Sequence, residues 1–150
     1  LSNKKQAMKE KDLGIGILSK FYIFLMLLHA LPLFVFDTRL NICGKVLSAT
    51  STFIINILFI ALLWFIYVEI KNIKKAGFWA ALIFHSTFAI NSSFITIGLQ
   101  PFLMIEGVKP VTSIWLRPIS FASIIINFGV IWYLFYRKES FFPIRKPATD

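Results

Sequence analysis

The chain has a single cysteine, Cys43, and that scarcity closes several routes at once. One thiol cannot make an intramolecular disulfide, a CxxC redox pair or a thiolate cluster. Acidic residues are also sparse: seven Asp and Glu stand against sixteen Lys and Arg. Asp37 and Glu106 fall in two different connections and Glu69 at the end of an apolar run, too scattered for a metal cage or a paired-carboxylate acid and base. There is no HExxH, P-loop or GxSxG, so no enzymatic reading has a residue to rest on. No internal repeat or low-complexity tract stands out, and the first two apolar runs do not visibly match the last two.

What is present is apolar. The 150 residues are 57% hydrophobic, 17% aromatic and 15% charged, with a mean hydropathy of +0.75. A domain of this size cannot bury that much apolar surface in water, so the composition is that of an integral membrane protein. A net charge of +9 and a pI near 9.9 would point to nucleic acid in a soluble protein. Here the basic residues cluster beside long apolar runs, as topology signals do, and no nucleic-acid partner is expected.

Apolar runs of membrane length occur at residues 13–36, 46–69, 78–102 and 113–136. At 1.5 Å per residue each reaches about 35 Å, enough to cross a ~30 Å hydrocarbon core with some tilt. The expected fold is all-α: an antiparallel four-helix membrane bundle, with a basic segment at 1–12 before it and a basic tail at 137–150 after it. Lys4, Lys5, Lys9 and Lys11 ahead of the first run resemble the basic region of a signal peptide. The sequence ALPLFVFDTRL after His29 is too bulky for a cleavage site, so the run is expected to stay as a span.

Lys and Arg set the expected orientation. Eleven lie at one end: the four N-terminal lysines, Lys71, Lys74 and Lys75, then Arg137, Lys138, Arg145 and Lys146. Four lie at the other: Arg39, Lys45, Lys109 and Arg117. Both termini are therefore expected on the cytoplasmic side, in a membrane of the prokaryotic plasma-membrane type. Lys20 falls inside the first run and reads as an anchor whose stem reaches back to the headgroups. Trp64, Trp79 and Trp132, with Tyr67, Tyr133 and Tyr136, read as anchors at the inner interface, and Trp115 as one at the outer. The tail segment RKESFFPIRKPATD carries Phe141 and Phe142 among basic residues and reads as a surface-lying or unstructured end.

Polar residues within the runs are ordered. In the third, His85, Ala89, Ser92, Thr96 and Gln100 fall within about an 80° arc at 100° per residue. In the fourth, Arg117, Ser120, Ser123 and Asn127 fall within about a 120° arc. In the second, Ser48, Thr52 and Asn56 recur at four-residue spacing. Such faces allow close approach and interhelical hydrogen bonding. Measured from the cytoplasmic ends, Asn56 and Asn91 lie at about 20 Å and Asn127 at about 14 Å, close enough to share a network. Asn91 lies about 120° around its helix from the His85 stripe, so it faces a different neighbour or the outside of the monomer, and in the second case a second copy or a partner subunit is expected against it. Pro32, Pro101 and Pro118 sit near the outer ends of their spans, where the first two are expected to kink them.

The two histidines raise the question of a haem held between axial imidazoles. His29 lies about 24 Å along its span and His85 about 10 Å, so one iron would need a shift of several residues. No cofactor or metal is expected, with haem as the one alternative. The functional expectation is a non-enzymatic membrane protein, a subunit or accessory element of a larger assembly, partnered by lipid and by other membrane subunits or its own copies. The alternative is a small-solute or ion channel lined by His85, Ser92, Thr96, Asn127 and Arg117.

Overall fold

A computed structural model describes residues 2–34, 40–42, 45–97 and 116–142. Gln100, Trp115, Pro101, Cys43, Asp37 and Glu106 lie outside the described residues. The architecture is helical: α1 (Ser2–Phe34), α2 (Ala49–Lys71), α3 (Lys75–Ile97), α4 (Leu116–Tyr136) and a short α5 (Lys138–Phe141). Four of these helices are long and apolar enough to cross a membrane, over Leu13–Phe34, Ala49–Lys71, Lys75–Ile97 and Pro118–Tyr136.

The expected division between a basic segment and the first span is not a structural one, because α1 runs unbroken from Ser2. The stretch SNKKQAMKEKDL has no proline or glycine and is rich in good helix formers, so nothing in it stops the helix. At 1.5 Å per residue the part before Leu13 extends the rod by about 16 Å. Pro32 is accommodated within the last turn of α1.

The second span begins later than hydropathy suggests. Val46 belongs to a small antiparallel hairpin, β1 (Asn41–Ile42) with β2 (Lys45–Val46), in which Asn41 faces Val46 and Ile42 faces Lys45. Ser48 then caps α2, its Oγ accepting from the Ser51 amide at 3.2 Å, which satisfies one of the orphan donors of the first turn. The Leu40 amide donates to Thr52 Oγ1 at 3.0 Å and ties the hairpin to α2.

Between α2 and α3 the chain turns in three residues. The Lys74 amide donates to the Glu69 carbonyl at 2.9 Å and the Ile73 amide to the Ile70 carbonyl at 3.0 Å, the paired bonds of a Schellman ending. The left-handed position falls on Ile73, at φ 54°, where a side chain costs about 1–2 kcal/mol. Its packing against the apolar core offsets that cost. The turn is so short that α3 starts at Lys75, three residues ahead of the expected Phe78. Lys74 also pairs with Glu69 across the turn at 2.9 Å.

In the packing, α1 lies on α2, α2 on α3 and α3 on α4, while α1 and α4 meet far less. The end of the bundle that carries the α2 and α3 turn is filled by apolar side chains. Tyr22, Leu63, Ile66, Ile70, Phe78, Ala81 and Leu134 are fully buried there. The described start of the tail, residues 137–142, packs back on the bundle, and the rest of the expected tail lies outside the described residues. After Arg137 the chain folds into α5 and buries Phe141, whose ring packs 5.7 Å from that of Phe78. Phe142 meets the same ring edge-on at 5.3 Å. Two aromatic side chains beside the open end of the bundle bury more apolar area by closing it than by lying on its surface.

The outer surface is the reverse of a soluble protein's. Leu27, Leu31, Leu58, Ile83, Phe121 and Ile125 face outward, whereas Ser19, Thr52, Asn56, His85, Ser92, Ser120 and Asn127 are buried. Helices that are apolar on their outer faces and polar inside belong in lipid, which solvates the first kind of surface and cannot solvate the second. Trp64, Trp79, Trp132 and Tyr136 face outward toward the lysine-rich end, and Lys20 is exposed on α1.

Candidate functional site

The chemistry-bearing side chains assemble into two separate hydrogen-bonded pairs. In the first, His85 Nδ1 lies 2.7 Å from Asn127 Oδ1, joining α3 to α4. The far end of the amide fixes its orientation. Asn127 Nδ2 donates to the Ser123 carbonyl at 2.7 Å and to Ser123 Oγ at 3.2 Å. A carbonyl only accepts, so the amide nitrogen faces it and the amide oxygen faces the histidine. His85 therefore donates from Nδ1, and in the neutral ring Nε2 accepts from the Tyr22 hydroxyl on α1, 3.1 Å away. Ser92 Oγ extends the chain by donating to Ser123 Oγ at 2.9 Å.

The second pair repeats the first. His29 Nδ1 on α1 lies 3.0 Å from Asn56 Oδ1 on α2. Asn56 Nδ2 donates one turn back, to the Thr52 carbonyl, at 3.0 Å, so the same reasoning makes His29 Nδ1 the donor. The even-numbered helices supply the amide through matching stretches, TFIIN at 52–56 and SIIIN at 123–127. In each, an asparagine sits four residues after a hydroxyl residue whose carbonyl it binds. In each, the odd-numbered helix before it supplies a histidine.

Aromatic rings wall both histidines. Phe21 stacks on His85 at 6.2 Å and Phe84 meets it edge-on at 5.3 Å. His29 lies 5.0 Å from Phe59 and 5.9 Å from Phe88. His85 is 1% exposed, Asn56 0% and Asn127 6%. An unsatisfied amide or imidazole at this depth would be costly, which is why each is paired.

Of the stripe expected on α3, His85, Ala89 and Ser92 face inward, and Thr96 is half-buried with its Oγ1 bonded back to the Ser92 carbonyl at 2.9 Å. On α4, Ser120 and Asn127 are buried and Ser123 half-buried, while Arg117 lies in the first turn. The asparagines do not form one network: Asn56 belongs with His29 and Asn127 with His85. Asn91 is half-buried and engaged within the chain. Tyr22 and the pairing role of His29 were missed. For His29 the signal was a polar group inside an apolar run whose own helix offers it only Leu25, Met26, Pro32 and Leu33 at i±3 and i±4.

Chemically, the His85 group is closed. Both ring nitrogens are engaged, one with Asn127 and one with Tyr22. His29 stands beside Phe88 and His85 beside Tyr22. Among the described residues no three His, Cys, Asp or Glu side chains come together in a metal-binding group. A cleft of about 270 Å³ between α2 and α3 is lined by Phe59, Ile83, Phe84 and Phe88 and reaches neither pair. Comparison with protein-family models, with curated proteins and with solved structures finds no match for the chain.

Proposed function

We propose that this chain is a non-enzymatic membrane subunit, a rigid four-span element that serves a larger assembly. The observation that carries this reading is the mutual closure of the intramembrane polar groups. His85 with Asn127, His29 with Asn56 and Ser92 with Ser123 bond to one another across helices. Such contacts hold a bundle in one arrangement, each contributing about 0.6 kcal/mol and rarely above about 1.7. A conducting path instead needs polar groups turned toward a wet lumen. The long projection of α1 ahead of Leu13 adds a basic handle outside the membrane, with four lysines against Glu10 and Asp12, on which a partner can dock.

Extraction from native membranes in a mild detergent, followed by mass measurement of the intact particle, tests the proposal. A heavier particle with a second polypeptide is the expected result, and a stable lone monomer counts against it. Flux in proteoliposomes separates the conducting alternative: a solute or ion current that His85→Ala or Asn127→Ala abolishes would replace the subunit reading with a channel.

A further inference from the structure

Lys20 stands apart from the other charged residues of the spans. It is the only Asp, Glu, Lys or Arg more than two residues from the end of a described span, and its side chain is exposed on the outer face of α1. Its depth follows from Tyr22, two residues on, whose hydroxyl lies 3.1 Å from His85 Nε2 on α3. His85 comes ten residues after Lys75, so at 1.5 Å per residue Lys20 lies about 12 Å above the start of α3. Between it and the lysine-rich end, the same face of α1 carries Ile17 and Leu13, both exposed.

Nothing in the bundle neutralises this ammonium. Ser19 beside it is buried, with its hydroxyl donating to the Ile15 carbonyl at 2.8 Å. Lys20 itself makes no hydrogen bond or ion pair with a described residue. Glu69, the one acidic residue in a described span, pairs with Lys74 at the helix end. A charge at this depth ordinarily faces the interior of a bundle and is paired there; Lys20 instead faces out.

The surface around it has a helix-packing period. Leu13, Ile17, Lys20, Phe24, Leu27 and Leu31 alternate four and three residues apart and are all exposed, the spacing of a coiled-coil seam. One lysine in such a seam selects the occupant. A second copy of this chain, inserted with the same orientation, would set ammonium against ammonium, whereas a helix with a carboxylate at the same level would cancel the charge.

We infer that this face of α1 packs against a transmembrane helix of another polypeptide, one that carries Asp or Glu level with Lys20 and accepts a hydrogen bond from its ammonium. The inference rests on the subunit reading and names the chemistry of the partner. It is tested on the full chain, labelled at its single cysteine, Cys43, in phosphatidylcholine bilayers, whose headgroups carry no net charge. Energy transfer is measured to labelled leucine-rich transmembrane peptides that bear Glu or Leu at the level of Lys20.

The Glu peptide is expected to bind about tenfold more tightly than the Leu peptide, toward the upper end for an interhelical polar contact in lipid. Lys20→Leu should abolish the difference, and Lys138→Gln, an equal loss of charge at a helix end, should leave it in place. Lys20→Glu should transfer the preference to a peptide bearing Lys. Equal binding of the Glu and Leu peptides to the parent chain overturns the inference, as does a preference that survives Lys20→Leu. Reaction of Lys20 with a membrane-impermeant amine reagent as fast as Lys138 overturns it too, by giving the ammonium to the headgroups. The subunit reading falls separately, on a native particle that is a lone monomer.

Discussion

At the two histidines, hydrogen-bond capacity dictates orientation before packing is considered. Each asparagine spends its amide nitrogen on a carbonyl of its own helix, at Thr52 or Ser123, and that choice turns the amide oxygen toward the neighbouring helix. The pair is thus coupled, and a double-mutant cycle measures it. Asn127→Leu and His85→Leu, alone and combined, should show a coupling of about 0.6–1.7 kcal/mol in detergent unfolding. Asn127→Leu alone should be worse than the double variant, because it leaves a buried imidazole donor unmet. Additive effects would mean that the contact contributes nothing. The pairs were partly legible in the sequence. Counting residues from the cytoplasmic ends put His29 within about 4 Å of Asn56 in depth and His85 within about 4 Å of Asn127. The identity of each partner was not legible, because depth does not say which helix stands beside which. Asn91 shares Asn56's depth, and depth alone does not separate the two. Tyr22 was hidden for another reason: tyrosine among phenylalanines reads as apolar until a neighbour is found for its hydroxyl.

At the scale of elements, the turn between α2 and α3 is the most constrained piece of chain. Gly77 packs on the end of α2 so closely that an added Cβ would lie 2.7 Å from the Glu69 carbonyl carbon and 2.7 Å from the Ile70 nitrogen. These are backbone atoms and cannot swing aside, so Gly77→Ala should force the helices apart at a cost of roughly 1–3 kcal/mol, read as a lowered thermal midpoint. Gly16→Ala, with nothing within 4 Å of its Cβ, is the control and should be neutral or slightly stabilising by helix propensity. The tail offers a second test. Phe141→Ala removes the buried ring against Phe78, and trypsin should then cut after Arg137 and Lys138 faster than in the parent chain. The four spans were legible from their length and hydropathy. Their ends were not, because hydropathy cannot distinguish Val46 in a strand from Val46 in a helix, nor see that three residues suffice to reverse the chain at 72–74.

For the whole molecule, the informative contrast is between a polar interior and an apolar exterior, and the sequence carries it as stripes within the apolar runs. The stripes on α3 and α4 do face each other, as the Ser92 to Ser123 bond requires. The concentration of Lys and Arg at the end holding Lys71, Lys74, Lys75, Arg137 and Lys138 should place that end, and both termini, in the cytoplasm. Reporter fusions at each terminus check this: a cytoplasm-active fluorescent reporter should light up at both ends and a periplasm-active phosphatase at neither. Adding basic residues to the connection around Arg39 and Lys45 should erode that orientation.

Each histidine and asparagine pair joins two helices that are adjacent in sequence, α1 with α2 and α3 with α4. This bears on how the protein is made. A buried amide emerging from the ribosome within α2 finds its imidazole already inserted in α1, and the one in α4 finds its imidazole in α3. Each hairpin can thus leave the insertion machinery with this pair already joined, and the later meeting of the hairpins is left to contacts such as aromatic packing and the bond from Tyr22 to His85.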